Sequence, residues 1–373
     1  MVTDEVPLHD QHCHGVVTAD LDAGAFAGWL TEAFRLPPHR DPFDSMLGLA
    51  VRRWCAPVLG LPAHAESDAY LRRRAELGWR AVTERLLRSS GVTNWLVDTG
   101  FTPPEPLTGP AELAGLGGGA GHEVVRVERV AETIAQQGES PRTLLDAIRA
   151  ELRGRATGAV ALKTVIGYRC GLALPAAAPS DTEARAAAER WLRSGDRRLT
   201  EPVLLAWLVY EAARVGAALG LPLQVHTGFG DPDLRLRDVD PALLGGFLEA
   251  TVDSGVTVVL LHCWPYHRNA AYLAHGYPHV IVDIGLTVPF VGARTGEVLG
   301  EILELAPFDA VVYSSDGRAL PELHHLGAVL WRHHLGRLLD EWISADVLST
   351  VDAERLAVAV GRGNSARIHP QLT

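Results

Sequence analysis

The chain has few sulfur atoms and few aromatic rings. Among its 373 residues there are four cysteines and two methionines, and Phe, Trp and Tyr together make 6%. Cys13, Cys55, Cys170 and Cys263 are widely scattered with no CxxC pair, so neither a disulfide framework nor a thiolate zinc site is indicated. Basic charge is also in short supply: 34 Lys and Arg stand against 45 Asp and Glu, a formal net charge of −11. That balance argues against nucleic acid or an anionic membrane as the partner and favours a small molecule. No apolar run reaches the ~18–20 residues of a membrane span, and MVTDEVPLHD lacks the basic start and apolar stretch of a signal peptide. The expectation is a cytoplasmic protein without a membrane partner; assembly into homo-oligomers is left open.

What is abundant is the material of a core. With 47% apolar and 21% charged residues the chain can bury a large interior, and its length suits one barrel with insertions or two ordinary domains. Short β-branched runs alternate with longer Ala/Leu/Arg-rich stretches, the signature of a parallel α/β architecture. Eight strands are expected near 6–13, 93–99, 123–130, 159–166, 221–226, 256–262, 279–284 and 310–314. The alternative, a doubly wound open sheet, lacks support because the first strand ends in HCHGVV instead of a Gly-rich dinucleotide turn. The fold expected is therefore an α/β (β/α)8 TIM barrel over residues 1–373. Between its first two strands, residues 17–90 form a helical insertion or cap, with amphipathic patterns at 23–34, 44–58 and 67–87. Residues 102–121 and 173–182, rich in Gly, Pro and Ala, read as loops.

The chemistry starts at His12 and His14. Residues i and i+2 of a strand share a face, so this HxH can aim two imidazoles at one ion while Cys13 points away. Alone, such a pair is usually two ordinary polar side chains. His226, His262 and Asp316 then each finish another apolar run, in QVHTGFGD, VVLLHCWPYH and VVYSSDG. Any one could be a satisfied hydrogen-bonding group, yet barrel strands converge at their C-terminal ends, where five such residues would meet. Three imidazoles and a carboxylate make a donor set for a divalent ion with room for a water whose acidity the ion raises. His267 reads as a loop or helix residue; His324, His325, His333 and His334 read as surface or core-edge residues of the last helices.

These segments carry a family resemblance. The chain resembles the amidohydrolase superfamily, through His12-Cys13-His14 on strand one, His226 on strand five, His262 on strand six and Asp316 on strand eight. ALKTVIGYRCGL, QVHTGFGDPDLRLRDVDP, LLHCWPYHRNAAYLA, YSSDGRALPELHHLGA and GNSARI are similar to the amidohydrolase-related branch that also occurs fused to glutamine-synthetase-like domains. The resemblance implies about one zinc, or another divalent ion, per chain, held by His12, His14, His226 and Asp316, with His262 beside it. Asp316 is then also the proton carrier and, with His262, a catalytic residue. A lysine in the apolar run AVALKTV is costly unless paired or modified. Lys163 is either a carboxylated bridge between two ions, as in binuclear members, or a binding residue, which is the preferred reading.

Tyr168, Arg169, Arg235, Arg268 and Arg318 follow the strand ends closely, as does Arg237, and form with Lys163 a candidate binding set for a substrate carboxylate. Glu128 and Asp231 are candidates for a substrate amine. The expected reaction is hydrolysis of a C–N amide bond, with a γ-glutamyl amide or another carboxylate-bearing small molecule as substrate. The alternatives are non-oxidative decarboxylation of an aromatic or enoic acid, a lactonase, and a non-catalytic scaffold.

Overall fold

Seven short strands lie in chain order in one sheet of a computed structural model that describes residues 1–372: β1 (Leu8–Cys13), β2 (Val92–Asp98), β3 (Ala120–Arg126), β4 (Ala161–Thr164), β5 (Leu223–His226), β6 (Val258–Leu261) and β7 (Val280–Val282). β4 to β7 are buried along their whole length, as expected for parallel strands covered on both faces. The eighth expected strand, 310–314, is instead an irregular extended run that follows β1 in parallel. Asp316 N donates to His12 O (3.0 Å), His14 N to Gly317 O (2.8 Å) and Ala319 N to Gly15 O (2.9 Å). Its regularity is broken by positive φ at Asp316 (47°) and Ala319 (57°). The architecture is α/β of the (β/α)8 TIM-barrel type, with a helical insertion after β1.

The chain divides into two compact units. The first comprises Met1–His122, Gly230–Pro232 and Asp283–Ala366. It carries β1, β2, the run beside β1, the long helix Pro321–Ser344 and the insertion. Asp22 and Ser45 cap the insertion helices Ala23–Trp29 and Met46–Ala50 by accepting from backbone N–H groups. The first of these helices stops at Trp29, short of the expected residue 34. Ser67–Ser89 is interrupted at Gly78, whose φ of 76° no helix accommodates. This helix is tied to Pro321–Ser344 by a buried knot, in which Arg74 Nε (2.8 Å) and the Tyr70 hydroxyl (2.9 Å) both donate to Glu322 Oε1.

The second unit comprises Glu123–Phe229, Asp233–Val282 and the residues from Arg367. Its strands pair in the register Arg126–Lys163–Gln224, with His226 opposite Leu261. β3 ends earlier than expected because Val127 opens the helix Val127–Gln136, which places Glu128 and Glu132 on a helix rather than a strand. The helix Pro202–Leu219 is long and apolar enough to cross a membrane by composition, but 67% of it is buried, as befits a core helix. In the expected loop 102–121, residues Pro110–Gly117 are helical.

Candidate metal centre

β1 delivers His12 and His14 to the same point in the first unit. His12 Nε2 lies 3.1 Å and His14 Nε2 3.4 Å from one oxygen, Oδ1 of Asp316, and all three side chains are buried. The two rings meet edge to face at 5.1 Å. His14 Nδ1 sits 3.2 Å from the Asp98 carbonyl oxygen. A carbonyl only accepts, so Nδ1 carries a proton, and in the neutral ring it is the Nε2 lone pair that faces Asp316. A lone pair and a carboxylate oxygen at that separation need a positive centre between them, and two imidazoles with a carboxylate suit a divalent cation. The Asp98 carboxylate, at the end of β2, reaches the same cluster. After His14, Gly15 lets the chain pass close to the segment at Thr108, since a Cβ there would lie 2.3 Å from Thr108 O.

Around His14 the loop after β2 and the insertion together supply a wall. Phe101 packs on the His14 ring at 5.1 Å and Trp29 on Phe101 at 6.2 Å. Arg318 lies over the Trp29 ring at 5.4 Å and is ion-paired to Glu32. Burial pushes the Glu32 carboxyl up, and Arg318 opposes that shift.

In the second unit β5 ends at His226 and β6 leads into His262, with both imidazoles buried. Their rings meet at 4.5 Å, and Tyr168 packs on His226 at 4.6 Å. Positive φ at His262 (69°) and Cys263 (61°) turns the chain sharply here, a backbone cost that clusters at functional sites. Lys163, 1% exposed, lies on β4 between Arg126 and Gln224 in register.

The amidohydrolase family model matches residues 95–369, well over half of the chain. The chain belongs to the amidohydrolase family. A candidate metal-dependent hydrolase from Lactobacillus casei ATCC 334 is similar at 28% identity with a TM-score of 0.87, over 99% of this amidohydrolase and 96% of that chain. Protein fluG of Emericella nidulans is 32% identical over 56% of the chain, which spans 25% of fluG's length. That relative agrees with the branch resemblance drawn from the motifs. Glucuronate isomerase from Caulobacter crescentus, at 18% identity and a TM-score of 0.65 over 99% of this chain and 92% of that one, shares the fold.

The amidohydrolase disposes its arginines unevenly. Arg235 and Arg268 are exposed, and exposed Arg237 pairs with Asp238. Arg169 is half-buried, with Nη2 3.0 Å from Glu132, while among the described residues its Nε and Nη1 have no hydrogen-bond partner. Glu128 is tied down as well. It accepts from the Thr164 hydroxyl and from Val165 N (3.0 Å), so its carboxyl braces the end of β4. His267 begins the helix His267–Gly276 and is buried. His324 and His325 are core residues, 0% and 4% exposed, because Pro321–Ser344 buries most of its first half. Sequence reasoning missed Asp98, whose only signal was its place at the end of an apolar strand.

Proposed function

We propose that this amidohydrolase cleaves a C–N amide bond of a carboxylate-bearing small molecule, with γ-glutamyl amides as the leading class. The observation that carries the reading is the pair of Nε2 atoms turned onto Asp316 Oδ1 in a buried setting. A divalent ion, zinc by preference, would be held by His12, His14, His226 and Asp316. When bound, it would polarise the substrate carbonyl and make water more acidic.

The chain's own groups supply the rest. Asp316 would take a proton from the attacking water and return it to the leaving amine. His262 would orient the reacting groups beside it. Arg169, with two N–H groups unmatched, is the strongest candidate for the distal carboxylate, with Lys163 and Tyr168 on the same unit. Trp29, Phe101 and Arg318 would bound the substrate on the His14 side, and Arg235 and Arg268 are further candidates for its carboxylate.

The test is a screen of N-substituted γ-glutamyl amides, carboxylated lactams, lactones and aromatic acids with zinc-loaded protein. Release of glutamate and amine, abolished by chelation and restored by zinc, is expected. Carbon dioxide release from the aromatic acids would move the assignment to a lyase, and turnover of lactones alone would remove the amide.

A further inference from the structure

Beside His12 and His14, β1 contributes to a second group of donors. Cys13 Sγ, the Asp10 carboxylate and His324, from the first turn of Pro321–Ser344, bring their ligand atoms within 4.8 Å of one another. Each of the three is 0% exposed. Asp10 is anchored by Ser315, whose N–H donates to Oδ1 at 2.8 Å and whose hydroxyl donates to Oδ2. Cys13 Sγ is 3.5 Å from Leu96 O. His324 Nδ1 stands 4.0 Å from Asp10 Oδ2, beyond hydrogen-bond reach, and among the described residues its ring nitrogens meet only the backbone of His14, too poorly aligned for a regular hydrogen bond.

A fully buried ring whose nitrogens lack a well-aligned partner is costly in a purely structural histidine. The ring is also held firmly in place. Trp95 packs on it edge to face at 5.6 Å, and a Cβ at Gly317 would lie 2.3 Å from it. The buried Tyr313 hydroxyl, which feels the charges of Asp10 and Cys13, has no hydrogen-bond partner either.

We propose that Asp10, Cys13 and His324 form a second cation site, distinct from the catalytic centre and suited to a thiophilic divalent ion such as zinc. The donor set is sulfur, nitrogen and oxygen, which zinc accepts at roughly 2.0–2.3 Å, so that tetrahedral donors stand roughly 3.3–3.8 Å apart. A small contraction of the observed cluster reaches that spacing. The charges also balance: a thiolate and a carboxylate cancel a divalent ion, whereas an unneutralised charge would be costly at this depth. Binding releases the thiol proton, and the carboxyl proton where Asp10 is protonated. The ion would bridge β1 to the helix that follows Asp316 and so fix the backbone carrying both catalytic imidazoles.

Cobalt separates this site from the catalytic one, whose proposed donors include no sulfur. Metal-free full-length protein, reloaded with cobalt(II), is expected to show a near-ultraviolet thiolate-to-cobalt charge-transfer band. The band should vanish in Cys13→Ser, weaken in His324→Gln and persist in Asp316→Asn. Bound metal should fall by one ion per chain in Cys13→Ser, with the circular dichroism of the fold retained. Cobalt-loaded wild type without the band would overturn the site even if no variant folds. A band that survives Cys13→Ser would do the same, since the sulfur would then come from another cysteine. Neither result bears on amide hydrolysis.

Discussion

At the scale of single residues, Asp316 carries two demands at once. It faces His12 and His14 from a backbone with left-handed φ, and in the proposed reaction it would also move a proton. Asp316→Asn keeps size and one oxygen donor but removes the base. Turnover of the amide should fall by at least ~10²-fold, within the range typical of acid–base catalysis, while most of the metal stays bound. Steady-state rates with metal analysis on the same samples check this. Loss of the ion along with the rate would reassign Asp316 as a ligand only. His262→Asn should behave similarly if His262 orients reacting groups instead of holding the ion. His14 is more constrained than its sequence context implied, because a backbone carbonyl, not a side chain, selects its tautomer.

Among elements, the insertion is the least predictable part and the most firmly fastened. Glu322 accepts from both Arg74 and Tyr70 in a fully buried knot. Removing the cation strands a carboxylate in the core, so Arg74→Met should cost about 3–5 kcal/mol in unfolding free energy, the usual toll for breaking a buried pair. Arg74→Met combined with Glu322→Leu should recover most of that. Urea titration of the wild type and both variants decides, and a loss below about 1 kcal/mol for Arg74→Met would mean that the knot is solvated. The alternating strand pattern, the HxH at the end of β1 and the strand-ending histidines were legible because burial imposes period two and apolar runs. The knot was not legible: Arg74 and Glu322 are 248 positions apart and sit on different helices. Glu128 misled for a local reason. Its segment reads as β-branched, yet the chain turns helical at Val127 and spends the carboxyl on Thr164 and Val165. The eighth strand was placed correctly but is no ladder, because positive φ at Asp316 and Ala319 cannot be read from composition. Cys13 reads in sequence as pointing away from the ion and His324 as a surface or core-edge residue, and no motif joins either to Asp10.

For the molecule as a whole, buried histidines set an acid limit on stability. Burial pushes His325 down from 6.5 to about 4, and His334 likewise falls to about 4, with desolvation the larger cause in both. The folded pKa therefore lies below the unfolded one. Between them the unfolded chain takes up protons that the folded chain refuses, so stability is complete above about 6.5 and is lost as pH falls toward about 4. The urea midpoint should decline across that window and stay flat just above it. His325→Gln should flatten the decline; an unchanged slope in that variant would exonerate His325. The pairing of β1 with the run after Val311 also bears on how the protein is made. Ser315 and Asp10 are 305 residues apart in sequence, so on the ribosome β1 is made long before the run that pairs with it. During that wait its edge and the imidazoles of His12 and His14 stand open to any strand or stray ion in reach, which makes β1 a segment of the nascent chain that a chaperone would usefully cover.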